Sequence, residues 1–140
     1  EDCSVHPSKI SFKKIALARA RVMNNEKDID LESLFEAERQ NTMKLYDGMA
    51  ARFIGEILLY LDNQSVSKAE AWAKKALEGD TRKGTLWNLA RDYFLCAEIS
   101  KKKGDQLHTQ ENLNRAIETF SECGADGWVE KCKNQLSSFS

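Results

Sequence analysis

The chain of 140 residues is long enough for one domain with its own core, or for about three or four helical hairpins. Its 21 basic and 22 acidic residues leave a formal net charge of −1, so the overall charge gives no reason to expect nucleic acid or an acidic membrane surface as a partner. The longest apolar run, Ile57-Leu58-Leu59-Tyr60-Leu61, is much shorter than the roughly 20 residues of a membrane span.

The first residues and the cysteines bear on the origin of the chain. The sequence opens on Glu1-Asp2-Cys3-Ser4, without an initiator Met and without the basic and apolar stretches of a secretory signal. We therefore expect a piece of a longer cytoplasmic protein. The cysteines Cys3, Cys96, Cys123 and Cys132 form no Cys-x-x-Cys pair, which favours a reducing compartment. A disulfide between Cys123 and Cys132 is the alternative.

Composition favours helix along the whole chain, because Glu, Lys, Ala and Leu dominate and Pro7 is the one proline. Turn residues divide the sequence into seven predicted helices, over about residues 8–24, 30–46, 47–61, 67–79, 83–103, 107–123 and 126–138.

Several residues define the ends of these helices. Pro7 is typical of a first turn, and Asp30 is a candidate N-cap for the second helix. Ser67 and Glu70 have the spacing of a capping box at the start of the fourth helix. The predicted stops are Gly79, Gly104-Asp105 and Gly124.

Self-similarity favours a repeat array over a closed bundle. Ile54-Gly55-Glu56-Ile57 recurs 42 residues later as Cys96-Ala97-Glu98-Ile99. Ala69, Ala73 and Ala76 recur 40 residues later as Thr109, Leu113 and Ala116. We therefore predict a single domain over residues 1–140, with hairpins over about 47–79 and 83–123, an eroded earlier copy over 8–46 and a capping helix over 126–138.

At these residues the pattern resembles the tetratricopeptide repeat (TPR). Ile54-Gly55 matches the apolar residue and Gly of the family's first helix, and Ala69, Ala73 and Ala76 match the spacing of its second helix. Small residues let antiparallel helices approach closely, and a large one fills the gap to the next hairpin. The resemblance implies an all-α fold, a right-handed superhelix of antiparallel hairpins (an α-solenoid).

A narrower resemblance covers Trp87–Tyr93 and Cys123–Lys131, which are similar to the final repeats of prokaryotic signalling proteins that also carry a nucleotide-hydrolysing or nucleotide-cyclising module. It implies a protein-interaction or regulatory segment of a larger signalling protein. The sequence departs from the family at Ala73 and Thr109, where an aromatic residue and Ala are more usual. Its repeat of 40 residues also exceeds the usual length of about 34.

Motifs for chemistry are weak. His6 and His108 have no partner at metal-ligand spacing, and the glycines form neither a phosphate loop nor a nucleophile elbow. We therefore expect no enzymatic activity, no metal and no cofactor. Lys101-Lys102-Lys103 complements a helix dipole rather than indicating nucleic-acid binding. For Trp72, Trp87 and Trp128 we expect packing between helices.

The resemblance implies that the binding surface is the concave face formed by the first helix of each hairpin. Helical spacing then predicts which side chains line it. They are Met49, Arg52, Glu56, Leu59 and Tyr60 on the third helix, and Arg91, Phe94, Glu98, Lys101 and Lys102 on the fifth. The expected partner is a peptide or a helix of another protein. The alternatives are self-association into a homo-oligomer, or a small-molecule sensor or enzyme that uses an inter-helix cavity.

Overall fold

A computed structural model describes residues 7–40, 47–61 and 65–139, with side chains from Ser11 onwards. This part of the chain is all-helical, with seven helices and no strand. The helices are α1 (Pro7–Met23), α2 (Leu31–Arg39), α3 (Asp47–Leu61), α4 (Val66–Lys83), α5 (Leu86–Lys102), α6 (Gln106–Glu122) and α7 (Asp126–Ser137). Each helix packs against the next in sequence, and α3 also packs against both α1 and α5.

The predicted helix ends are mostly confirmed. The helix α1 begins at Pro7, the Asp30 side chain accepts a hydrogen bond from the Ser33 backbone N–H, and α3 covers Asp47–Leu61. The helix α2 ends at Arg39, earlier than predicted, with Gln40 as its C-cap. Residues 41–46, which the prediction included in this helix, lie outside the described residues.

The prediction for α4 was wrong at both ends. The helix starts at Val66, so Ser67 lies inside it, and the predicted capping box with Glu70 does not form. It also continues past Gly79 to Lys83 and stops at Gly84, which has a left-handed φ of 68°. Gly79 instead lies against Gly48, since a Cβ built on Gly79 would stand 3.5 Å from the Gly48 Cα. A buried glycine was thus mistaken for a helix stop.

The apolar core forms two clusters. The larger one joins buried residues of α1 to α4 with Leu95 and Ile99 of α5. The smaller one contains Ala90, Phe94 and Ala97 of α5 together with residues of α6 and Cys132 of α7. The helix α5 therefore contributes one side to each cluster, and the chain is held together through it.

Burial repeats along the chain with the period that the sequence predicts. Each of residues 69–89 has the same burial class as the residue 40 positions later. Ala69, Ala73 and Ala76 are buried, as are Thr109, Leu113 and Ala116. Gly84 and Gly124, at equivalent positions, both have a left-handed backbone. The segment from α4 into α5 and the segment from α6 into α7 are therefore packed alike.

Two glycines that follow an aspartate at the start of a helix provide a matched test of packing. A Cβ on Gly48 of α3 would meet the Asp80 Oδ1 at 2.1 Å, whereas a Cβ on Gly127 of α7 would meet nothing within 4 Å. We expect Gly48→Ala to lower the free energy of unfolding by about 1–3 kcal/mol through overpacking. Gly127→Ala should raise it by about 0.5 kcal/mol through helix propensity. Urea denaturation of both variants checks this, and equal effects would contradict the placement of Asp80.

Candidate functional site

The main candidate site is a cavity of about 290 Å³ between α1, α3, α5 and α7, which we call the central cavity. Four odd-numbered helices line it, so it lies on one side of the molecule, and α2, α4 and α6 contribute no residue. Its lining residues are Arg19, Met23, Glu56, Tyr60, Arg91, Phe94, Leu95, Glu98, Trp128 and Lys131.

A second cavity, of about 460 Å³, adjoins the first. Its lining residues are Tyr60, Glu98, Lys101, Lys102 and Gln135. Tyr60 and Glu98 line both cavities, which therefore form one continuous depression that we call the groove. The groove is thus lined by side chains of four helices, α1, α3, α5 and α7.

The groove contains seven of the ten residues predicted for the binding face. They are Glu56, Tyr60, Arg91, Phe94, Glu98, Lys101 and Lys102. Met49 does not line it, and Arg52 and Leu59 are buried, with exposed fractions of 2% and 0%. Arg52 is paired with Glu56 and Asp92, and Leu59 belongs to the larger apolar cluster, so both side chains lie in the interior.

Five groove residues lie outside α3 and α5 and were not predicted. Arg19 and Met23 belong to α1, and Trp128, Lys131 and Gln135 belong to α7. Each set has helical spacing of three or four residues, so its members share one face of their helix. The binding face was expected on the first helix of each hairpin, and this rule was applied only to α3 and α5. Applied to α1 and α7 as well, it identifies these residues.

An ion cluster around Glu56 forms the floor of the central cavity. The carboxylate accepts a hydrogen bond of 2.9 Å from the Arg52 Nη1 on its own helix and another from the Arg19 Nε of α1. The Arg91 Nη2 of α5 lies 3.7 Å from it. Glu56 is 4% exposed, so water screens these interactions little. One carboxylate therefore holds three helices together.

Aromatic rings cover the cations of this cluster. The Arg19 and Arg52 guanidinium groups lie 4.9 and 5.0 Å from the centre of the Phe53 ring. The Arg91 guanidinium lies 4.4 Å from the Trp128 ring centre. Burial, and next the repulsion from Arg52, lower the pKa of Arg91 to about 10. Arg91 therefore remains a cation at neutral pH, held in the wall of the groove by aromatic contacts.

Behind the groove, Asp92 and Asp80 form a buried acidic pair. Both are nearly inaccessible, with exposed fractions of 0% and 2%, and the Arg52 Nε lies 3.4 Å from the Asp92 Oδ1. Burial first, and then the neighbouring Asp80 carboxyl group, raise the pKa of Asp92 to about 10. Asp92 is therefore neutral at physiological pH, and the excess positive charge of the arginines is not cancelled by it.

Glu98 occupies the position of Glu56 in the following repeat but lacks its partners. The residue four positions before Glu56 is Arg52, whereas the residue four positions before Glu98 is Phe94. The Lys131 ammonium group, on the next odd-numbered helix, lies over the rings of Trp128 and Phe94, at 4.7 and 5.2 Å. Burial, and then the charge of Glu56, raise the pKa of Glu98 to about 7.

The tryptophans pack between helices, as expected. Trp72 of α4 stacks on Phe35 of α2, with ring centres 6.0 Å apart. Trp128 of α7 stacks on Phe120 of α6 at 5.2 Å and meets Trp87 of α5 edge-on. These contacts fix the position of α7 at the end of the groove.

The groups with potential for chemistry lie apart from one another. No group of three or more His, Cys, Asp or Glu side chains in the described part of the chain has the arrangement of a metal site. Cys96, Cys123 and Cys132 are free, and burial raises the pKa of the Cys96 thiol to about 12, which keeps it protonated. His108 is exposed and bonded to Asp105, while His6 and Cys3 lie outside the described residues.

The comparisons give no relative on which to base an assignment. Comparison of this chain with protein-family models, with curated proteins and with solved structures finds no match. None of the helices in the described ranges is both long and apolar enough to cross a membrane. The site must therefore be interpreted from its own geometry.

The ion cluster predicts a large effect of neutralising its one carboxylate. Glu56→Gln preserves the side-chain volume but leaves three guanidinium groups without their shared counter-charge. We expect the free energy of unfolding to fall by about 3 kcal/mol, as for other buried ion pairs that lose one partner. The exposed Glu78 on α4 supplies the control, and Glu78→Gln should change stability little. Equal urea midpoints for the two variants would contradict the role of Glu56.

The acidic pair predicts a pH dependence of stability. Because the folded-state pKa of Asp92 is raised, the folded chain binds more protons than the unfolded chain between about pH 4 and 10. Asp92 therefore makes stability fall as pH rises, by at most about 1.4 kcal/mol per pH unit. Asp92→Asn should remove this contribution and stabilise the protein at high pH. Urea unfolding at several pH values checks this, with Asp28→Asn at an exposed position between α1 and α2 as control. Parallel pH profiles for wild type and Asp92→Asn would refute it.

Proposed function

We propose that this chain is a protein-interaction module of the tetratricopeptide type, which binds a peptide or a partner helix in the groove. The observation that carries the proposal is the continuous groove lined by α1, α3, α5 and α7, with aromatic and cationic side chains along it. Aromatic residues and arginine dominate the binding energy of protein interfaces, since they offer large contact area and several hydrogen-bond donors.

The arrangement of helices supports the same function. Hairpins of antiparallel helices that stack with a regular period build an extended surface from corresponding faces of successive repeats. The period of 40 residues in burial and the position of the groove on the odd-numbered helices are consistent with such an array. A right-handed superhelix, a cytoplasmic location and membership of a larger signalling protein are parts of this proposal.

Rigid walls make the groove suited to recognition. Phe94, Arg91 and Trp128 contact one another or the core, so binding would order few of the side chains that form the wall. A preorganised surface loses less side-chain entropy on binding, which improves affinity for a given contact area. Tyr60, exposed by 39%, stands between the two cavities and is the aromatic side chain that a ligand would cover.

Tyr60 therefore provides the test of groove binding. A random peptide library is selected on the wild-type chain, and the affinity of each selected peptide is measured on Tyr60→Ala. We expect affinity to fall by about tenfold or more, as for aromatic hot spots. The control is Leu107→Ala, which removes an apolar side chain that is 63% exposed on α6, away from the groove.

Two results decide the proposal. Peptides that bind the wild type and the Leu107 variant equally, and the Tyr60 variant much more weakly, support it. Failure to select any peptide that depends on Tyr60 would contradict peptide binding in the groove, provided that the thermal unfolding of Tyr60→Ala shows an intact fold.

Self-association is a second candidate function. The observation that favours it is Leu17 on α1, an apolar side chain that is 62% exposed. Sedimentation over a range of concentrations tests it, and a monomer at the highest concentration would exclude it. The homo-oligomer stays a prediction.

A further inference from the structure

The groove has an excess of positive charge within a chain of net charge −1. Five cationic side chains line it against two carboxylates, Glu56 and Glu98, which leaves three positive charges when both are ionised. The cations are Arg19, Arg91, Lys101, Lys102 and Lys131. An anionic ligand is therefore attracted to this face, and a cationic one is repelled from it.

The two carboxylates of the groove differ in how far they are compensated. Glu56 is held by the guanidinium groups of Arg19, Arg52 and Arg91, and offers no free charge to a ligand. Glu98 forms no hydrogen bond or ion pair with the described residues, although it lies within the electrostatic reach of three lysines. It is thus the one groove carboxylate in the described chain whose charge an incoming ligand would meet directly.

From this arrangement we infer that the ligand of the groove is an acidic peptide segment and that Glu98 takes up a proton as the segment binds. The inference rests on the function proposed above and specifies its partner. A carboxylate of the segment would pair with Lys131, Lys102 or Lys101 at the mouth of the groove. Arg91 and Arg19 provide positive potential from the wall.

The proton uptake follows from the surroundings of Glu98. The groups that face it are Arg19 of α1, Glu56 and Tyr60 of α3, Arg91, Lys101 and Lys102 of α5, and Lys131 of α7. With a pKa of about 7 in the free protein, Glu98 is partly protonated at neutral pH. A bound carboxylate adds a like charge and excludes water, and both effects raise the pKa further. The neutral acid also becomes a hydrogen-bond donor to the bound anion.

Proton uptake by Glu98 determines the direction in which affinity changes with pH. The bound state holds more protons than the free state above about pH 7, so affinity for an acidic segment falls as pH rises there. One linked proton limits the change to about tenfold per pH unit. Glutamate side chains of the ligand have a pKa of about 4.3 and stay ionised throughout.

The test uses hexaglutamate, hexalysine and a glycine–serine peptide of equal length as probes, with isothermal titration calorimetry on the whole chain. Hexaglutamate should bind most tightly. Titrations in two buffers of different ionisation enthalpy, just above neutral pH, should show uptake of up to about one proton. Glu98→Gln, which mimics the protonated acid, should bind hexaglutamate more tightly than the wild type at pH of about 8 and lose the pH dependence.

Matched variants separate this effect from general electrostatics. Lys131→Gln should weaken binding about two- to fivefold, as expected for an exposed ion pair. Lys133→Gln, an exposed lysine on the same helix that does not line the groove, should leave it unchanged. Glu111→Gln on α6 controls for loss of a negative charge elsewhere.

Several results would overturn the inference. They are tighter binding of hexalysine than of hexaglutamate, no binding of hexaglutamate, or an unchanged pH dependence in Glu98→Gln. None of these results contradicts the proposed function, because the selection of peptides that depend on Tyr60 tests that function separately. Basic or neutral peptides that depend on Tyr60 would leave groove binding intact and refute only the acidic partner.

Discussion

The packing of α1, α3 and α5 depends on the ion cluster around Glu56. Its carboxylate meets a guanidinium group from each of α1, α3 and α5, and it is almost inaccessible to water. A buried carboxylate without such partners would be strongly destabilising, so the pairing with Arg19 and Arg91 stabilises the packing of α1 and α5 on α3. The same cluster forms the floor of the central cavity, which couples the shape of the groove to the fold.

Close approach of helices is the second constraint. Gly48 and Gly79 bring α3 and α4 together so tightly that the Asp80 carboxyl group occupies the space of a missing Cβ. Gly55 similarly admits Leu95, whose Cδ2 would lie 3.1 Å from a Cβ at that position. This close contact buries Asp80 and Asp92 together, and their proximity contributes to keeping Asp92 neutral. The small residues at this helix contact thus contribute to the raised pKa of Asp92 as well as to the helix spacing.

The groove differs from the interior in how its charges are compensated. Within the ion cluster the partners of Glu56 come from three helices of the chain itself. One repeat later, Phe94 replaces the arginine, and Lys131 rests on aromatic rings, so Glu98 is left without an ion pair among the described residues. A repeat array can in this way use equivalent positions for two purposes. One copy stabilises the fold, and in the proposed function the other presents charge to a partner.

Local sequence signals were enough to predict the number of helices, the bounds of α3 and the ends of most others. Apolar periodicity, Pro7, Asp30 and Gly124 act within a turn or two of their own position. Recurrence of small residues also predicted the period of 40, which the burial pattern reproduces. The signal failed at Gly79, because a glycine that ends a helix and one that admits a neighbouring helix look alike in sequence.

The sequence by itself therefore determined that the chain is helical, how it is divided and which side chains of α5 reach the groove, since these follow from short-range geometry. Only the tertiary structure decided that Arg52 and Leu59 are internal and that α1 and α7 supply Arg19 and Lys131 to the same cavity. It also decided that Glu56 is ion-paired with three arginines, whereas Glu98 forms no ion pair with the described residues. Burial and ion pairing depend on distances between helices that lie far apart in the chain, and no local pattern encodes those distances.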